Sequence, residues 1–216
     1  MITDTIEAAE SQVWDVLNRN LFFVKDAVKR HELKTSDKFD IYDPVTKQLI
    51  LECREPNAGT FTKLARLCGG DHDHGTSFDL VGRLPGSEEQ VFRVTRGNTS
   101  LTLGGVPMRF FDHRNQLIGK MKKETFALGL KFTFSNEEKD IFVLQIKSKL
   151  LSSAKELLMD QKTVARLVPS WKSEYGDFFK EGKFSCALSI APEFPTNSPA
   201  RQILLAFCAA IGRVNA

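Results

Sequence analysis

One short segment of the sequence, residues 68–75, concentrates side chains that bind metals. It holds a thiol, two carboxylates and two imidazoles, on Cys68, Asp71, His72, Asp73 and His74. These donor types suit a transition metal, and the neighbouring glycines would let the loop fold back on itself. Adjacent donors in one loop generally need a further ligand from elsewhere, and His31 and His113 are the only other histidines. We therefore predict a solvated polar loop with no resident metal or cofactor, and keep these five residues as the metal candidates.

A second group of residues is basic. Lys120, Lys122 and Lys123 lie close together, with Arg109 upstream. Such a cluster could meet anionic lipid headgroups, so these four residues are the candidate headgroup site. The alternative is an ordinary strand face that carries its charges in water.

Catalytic signatures do not stand out in the sequence. It contains no Gly-x-Ser-x-Gly, no His-Glu-x-x-His and no Gly-x-x-x-x-Gly-Lys motif. The carboxylates of Glu137, Glu138 and Asp140 fall at a predicted hairpin tip, where solubility explains them better than acid/base chemistry. We therefore predict a domain that is not an enzyme.

The overall charge and the cysteine pattern limit the partners and the setting. The 216 residues carry 30 Lys and Arg against 27 Asp and Glu, a net charge of +3 that is too small to favour nucleic acid. Four scattered cysteines without a CxxC pair suggest no disulfide framework. The first residues lack the basic and apolar blocks of a secretory signal. Together these observations predict a cytoplasmic protein.

The elements that must position these groups follow from the spacing of apolar residues. Helical spacing from Asp4 to about Asn18 predicts a short amphipathic N-terminal helix. From residue 38 onward, short apolar-rich runs occur in pairs. Asp, Asn, Pro or Gly residues separate the two runs of each pair. Five such hairpins are predicted, with runs at 39–42 and 49–52, 78–81 and 91–94, 108–111 and 117–120, 131–134 and 141–144, and 155–158 and 164–168.

Alternation within these runs predicts how the sheet is buried. In an extended strand Phe92 and Val94 face one side of the sheet and Arg93 faces the other. Phe132 and Phe134 face away from Lys131 and Thr133 in the same way. One face is therefore buried and the other is wet. A long antiparallel sheet must protect its edges, and closure into a barrel removes them.

The C-terminal segment determines what fills that barrel. Every residue from Ile203 to Ile211 is apolar, and a helix that is apolar all round must be buried. Nine residues make about 14 Å of helix, whereas a bilayer core of about 30 Å needs about 20 residues. We therefore predict a central helix inside the barrel and no transmembrane span, with membrane insertion or a swapped dimer as the alternatives.

Several segments, taken in order, resemble the phospholipid scramblase and LURP-one-related family of the tubby-like superfamily. KFDIYDPVTKQLILECRE at 38–55 is similar to the family's opening hairpin, QLIGK at 116–120 and FVLQIK at 142–147 follow in the expected order, and KTVARLVPSW at 162–171 resembles the late strand. The stretch from Phe184 through the terminal helix resembles the end of the domain, so the similarity spans residues 38 to 214.

The resemblance implies a mainly β fold, a closed antiparallel barrel of about twelve strands around a hydrophobic C-terminal helix. Residues 1–30 would form the N-terminal helix and a lead-in strand, and 31–216 the scramblase/tubby-like barrel with its central helix at 199–214, as a single domain overall. It also implies association with phosphoinositides or other phospholipids, and for scramblases a calcium-dependent movement of lipid between leaflets.

Two departures weigh against the lipid-moving activity. Lysines stand among the few carboxylates of 177–186, the stretch that matches the calcium segment, so a calcium site is not expected. The clustered cysteines that carry palmitate in animal scramblases are also missing, since only Cys68 lies in the matching region. The sequence therefore matches the family in the strands and the terminal helix, but not in the calcium segment or the palmitoylated cysteines.

The expected function is therefore non-catalytic binding of anionic phospholipid headgroups or of a protein partner, in the cytoplasm and peripherally at the membrane. A small-ligand carrier or an enzyme, using a barrel cavity or the loop from Cys68 to His74, is the first alternative. True phospholipid scrambling is the second.

Overall fold

The computed structural model describes residues 2–26, 38–56, 78–97, 108–126, 129–135, 140–148, 154–169, 185–196 and 198–214. In chain order the elements are α1 (Ile2–Leu17), β1 (Leu21–Asp26), β2 (Lys38–Tyr42), β3 (Leu49–Arg54), β4 (Phe78–Arg83), β5 (Gln90–Arg96), β6 (Met108–Phe111), β7 (Leu117–Phe126), β8 (Gly129–Ser135), β9 (Asp140–Ser148), β10 (Lys155–Met159), β11 (Lys162–Pro169), β12 (Ser185–Ile190) and α2 (Pro199–Val214).

The twelve strands form a closed antiparallel barrel. Each strand pairs with its neighbour in the chain, and β1 also pairs with β12, where Phe22 lies opposite Leu188 and Val24 opposite Cys186. Because the first strand bonds to the last, the sheet has no free edge. The predicted closed, mainly β barrel is confirmed.

The five predicted hairpins are also confirmed, as β2–β3, β4–β5, β6–β7, β8–β9 and β10–β11. The turns that the structure describes, which exclude the one between β8 and β9, use left-handed backbone conformations. Asp160 and Gln161, with φ of 49° and 65°, form a two-residue connection with the geometry that matches the twist of paired strands. Lys47 and Asn115 take φ of 60° and 59° in the β2–β3 and β6–β7 turns.

The interior of the barrel is filled by alternate residues of the strands. Phe92 and Val94 of β5 are buried, while Arg93 between them is only half-buried. In β8 Phe134 is buried and Thr133 is half-buried. The period of two predicted from the sequence therefore separates the core face from the wet face.

Helix α2 lies inside this sleeve. Ser198 caps its start, accepting a hydrogen bond from the backbone N–H of Ala200 on its hydroxyl oxygen. Every side chain over 200–210 is buried, and the ring of Phe207 meets that of Phe134 edge to face with centroids 6.2 Å apart. The predicted central helix is thus confirmed over these residues.

Helix α1 packs across one end of the barrel. Its buried Val13, Val16 and Leu17 join the same core cluster as α2 and the strands. Its outer positions reach the hairpin turns at that end: Glu10 bonds Arg114 at 2.7 Å, and Trp14 packs edge to face on His113 at 6.0 Å. The predicted N-terminal helix therefore covers the end at which α2 begins.

Candidate functional site

The candidate headgroup site lies on the outer face of β6 and β7. Met108 and Phe110 of β6 are buried, so Arg109 between them points outward and is exposed. Across the hairpin Met108 pairs with Met121, and Arg109 therefore pairs directly with Lys120. Directly opposed residues on one face of an antiparallel pair have Cβ atoms about 4.5–5.5 Å apart, so the two cations are close neighbours.

The neighbouring strands place hydroxyl groups beside this pair. Thr95 of β5 lies opposite Arg109, and Ser135 of β8 lies opposite Lys120. The row across four strands therefore reads Thr95, Arg109, Lys120, Ser135. These four residues offer hydrogen-bond donors and positive charge, and the next strands place Asp79 opposite Thr95 and Asp140 opposite Ser135 at the two ends of the row.

Other arginines of the described surface have acidic partners. Arg93 makes two bonds of 2.7 Å to the carboxylate of Asp79, and this hydrogen-bonded contact raises the pKa of Arg93. Arg54 bonds Asp40 at 2.7 Å, and Arg114 bonds Glu10. Arg109 and Lys120 form no ion pair with any residue in the described ranges. Their positive charge is therefore available to an external anion.

The other two predicted basic residues occupy different registers of β7. Lys122 pairs with Thr133, two residues beyond Lys120 on the same set of alternate positions. Lys123 pairs with Phe132 and belongs to the other set. The backbone therefore brings Arg109 and Lys120 together, with Lys122 next along the strand, and separates Lys123 from them.

The predicted metal candidates lie outside the described residues. Cys68, Asp71, His72, Asp73 and His74 fall in 57–77, and 177–184 of the calcium-matching stretch falls in 170–184. Among the side chains that the structure describes, no group of three or more His, Cys, Asp or Glu residues could hold a metal ion.

A cation that the sequence analysis did not select lies buried at the covered end of the barrel. Arg201 of α2 is 1% exposed, and burial lowers the pKa of its guanidinium. It donates to the carbonyl oxygens of Leu17 at 2.6 Å, Arg19 at 2.7 Å and Phe194 at 3.1 Å. Leu17 is the last residue of α1 and Arg19 lies just beyond it, so Arg201 binds the C-terminus of one helix from the first turn of the other, while its bond to Phe194 is to the segment that precedes α2. A lone arginine opening an apolar helix was its signal in the sequence.

A shallow groove of about 240 Å³ lies between α1 and the β2–β3 and β4–β5 turns. Asp15 and Arg19 line its α1 side, and Asp43 lines the opposite side, where it pairs with Arg19. The groove is at the end of the barrel, outside the space that α2 fills. Its one cation, Arg19, is already paired with Asp43, so it is a weaker candidate for an anion than the Arg109–Lys120 row.

Comparison of the chain with protein-family models, with curated proteins and with solved structures finds no match. No helix in the described part of the chain combines the length and the apolarity needed to cross a bilayer.

Proposed function

We propose that this chain is a non-catalytic binding domain that contacts anionic phospholipid headgroups with the outer face of β6 and β7. The observation that carries the proposal is the direct opposition of Arg109 and Lys120, without an acidic partner among the described residues. Like charges directly opposite each other destabilise a sheet, by up to about 1 kcal/mol. A phosphate bound between them would remove that repulsion and accept hydrogen bonds from both.

The donor types of the row fit a phosphate group. The guanidinium of Arg109 can bind two phosphate oxygens in parallel, and the ammonium of Lys120 adds a compact charge. Thr95 and Ser135 flank the pair with hydroxyl donors. These four side chains would contact the charge and the oxygens of a headgroup and would not select among acyl chains.

The strands that carry the pair are anchored in the core. Met108, Phe110 and Met121 are buried in the core directly beneath β6 and β7. Because these strands are anchored in a packed core, the backbone positions of Arg109 and Lys120 are set before a ligand arrives. Binding then orders the two side chains but not the backbone that carries them.

The outside of the barrel is the favoured surface because the inside is occupied. The buried side chains over 200–210 of α2 occupy the barrel interior, which is the space in which a carrier would bind its ligand. The resemblance of the segments within 38–214 to scramblase and tubby-like domains, taken from the sequence alone, favours the same ligand class. A cationic side chain near an anionic membrane surface contributes about 1 kcal/mol.

The test is co-sedimentation of the full chain with neutral phosphatidylcholine vesicles and with vesicles that also contain phosphatidylserine or a phosphoinositide. We expect retention on the anionic vesicles that weakens as salt is raised. Reversing both charges, with Arg109→Glu and Lys120→Glu, should reduce the binding constant about tenfold or more.

A matched control lies on the far side of the barrel. Lys162 and Arg166 are exposed on β11, and replacing both with Glu gives the same net charge as the test variant. This control should keep most of the binding. Equal retention on neutral and anionic vesicles, or equal losses in the two double variants, would reject the β6–β7 site. A labelled-lipid assay on the same vesicles separates binding from scrambling, and we expect no transfer between leaflets.

A further inference from the structure

Two cysteines that are far apart in the sequence meet inside the barrel. Cys186 lies on β12 and Cys208 lies on α2, 22 residues later, and their Sγ atoms are 3.6 Å apart. Both side chains are buried, and both thiols are free. The contact joins the central helix to the wall of the barrel, two elements otherwise held together by packing.

We propose that Cys186 and Cys208 are a redox-sensitive dithiol, which a hydroperoxide converts to a disulfide that tethers α2 to β12. The distance is the first support. A disulfide needs its sulfurs about 2 Å apart, so the pair closes with a shift of about 1.5 Å, within the reach of side-chain rotation. The strand and the helix need not separate for the bond to form.

The reaction balances with a hydroperoxide as the only oxidant. One sulfur attacks the peroxide oxygen, which gives a sulfenic acid and releases water or an alcohol. The second sulfur attacks the sulfenic sulfur and expels water. Two thiol hydrogens and two electrons leave the protein, and one S–S bond forms.

The surroundings make this reaction slow in the closed barrel. The hydrogen bond to Cys186 and burial raise the pKa of the Cys208 thiol, and the thiolate is the reactive form. Oxidation therefore requires a local opening that admits the oxidant. Once formed, the buried disulfide is shielded from reductants in the same way.

The experiment maps the bond in the wild-type chain. The protein is treated with hydrogen peroxide, unfolded in excess alkylating reagent, and digested with trypsin. Cleavage at Lys183, Arg201 and Arg213 puts Cys186 in peptide 184–201 and Cys208 in peptide 202–213, while Cys53 and Cys68 fall in peptides of their own. We expect the first two peptides to be recovered as one cross-linked species that reduction separates.

Two results would overturn the proposal at this step. One is that both Cys186 and Cys208 are alkylated after exposure to peroxide. This result would show that they serve only as small apolar side chains of the core. The other is a bond from either residue to Cys53 or Cys68. Because this measurement uses the wild-type protein, it does not depend on whether any variant folds.

A second measurement tests the tether. Oxidised wild-type protein should unfold at a temperature roughly 5–10 °C above that of the reduced protein. Cys208→Ala should abolish this difference, and Cys53→Ala, a change to another buried thiol, should leave it intact. A cross-linked wild-type protein without any rise in unfolding temperature would contradict the tether.

Discussion

The guanidinium of Arg201, in the first turn of α2, donates its Nε proton to the carbonyl oxygen of Leu17, the last residue of α1, over 2.6 Å. This contact and the bond to the carbonyl of Arg19 fasten the covering helix to the central one, and a further bond to the carbonyl of Phe194 holds the segment that leads into α2. Buried carbonyls without donors carry a desolvation cost.

Arg201→Met should therefore lower the free energy of unfolding by about 2–4 kcal/mol, because it removes charged donors and leaves those carbonyls unsatisfied. Urea unfolding followed by circular dichroism measures the change. Arg166→Met is the control: that side chain is 63% exposed, and its effect should stay within about 0.5 kcal/mol. Equal effects of the two substitutions would contradict a structural role for Arg201.

Gly82 of β4 provides a second prediction, because it leaves room for the ring of Phe92. A Cβ at Gly82 would lie 2.6 Å from the ring Cζ, and the ring is fully buried. Gly82→Ala should thus lower the free energy of unfolding by about 1–3 kcal/mol through overpacking.

Phe92→Leu should rescue part of that loss. The loss of unfolding free energy in the double variant should be smaller than the sum of the losses in the two single variants by at least about 0.5 kcal/mol. Gly86→Ala supplies the comparison, since Gly86 has φ of 68° and open space around it, so Phe92→Leu should not rescue it. Strict additivity at Gly82 would show that the ring can move aside.

Phe207 tests the burial of α2. Its ring is fully buried against Phe134, so Phe207→Ala should lower the free energy of unfolding by about 3–5 kcal/mol. Val45, at 80% exposure in the β2–β3 turn, is the matched apolar control, and Val45→Ala should change stability by less than about 0.5 kcal/mol. Similar small losses at both positions would place the helix outside the core.

Asp43 gives a prediction about pH. Burial opposes ionisation of its carboxyl group, but hydrogen bonds from the backbone N–H groups of Thr46 and Val45, and the charge of Arg19, hold its pKa below the usual 3.8. A carboxyl group with a lowered pKa in the folded state stabilises the fold above the pKa of the unfolded chain. That contribution is lost as the pH falls through the lower, folded value.

Asp43→Asn keeps an acceptor oxygen for the turn but cannot ionise. Between about pH 6 and about pH 2.5, the free energy of unfolding of this variant should therefore fall less than that of the wild type. We expect a difference of about 0.5 kcal/mol, a small value because Arg19 is partly exposed. Urea midpoints at the two pH values measure this difference. Parallel losses in the two proteins would show that ionised Asp43 adds no stability.

Local patterns in the sequence predicted much of the fold because hairpins are local. The turn at Asp160 and Gln161 and the alternation around Arg93 are determined by residues a few positions apart. The apolar run from Ile203 predicted the central helix because its length excluded a membrane span. The pairing of β1 with β12 joins residues about 160 positions apart, and no local signal reports it.

The site was less accessible to sequence reasoning. The basic residues could be selected by type, but the pairing of Arg109 with Lys120 depends on a register shift between Phe110 and Phe111 in the β6–β7 hairpin. The meeting of Cys186 with Cys208 depends on how deeply α2 enters the barrel. Both relationships belong to tertiary geometry, which periodicity does not encode.

The location of α2 inside the barrel has a consequence for how the chain is made. Synthesis proceeds from the N-terminus, so eleven strands leave the ribosome before β12 can close the sheet, and the helix that fills it emerges later still. Until then the inward phenylalanines and leucines have no partner, and the nascent chain exposes its future core. The interior can therefore be completed only after α2 has emerged from the ribosome.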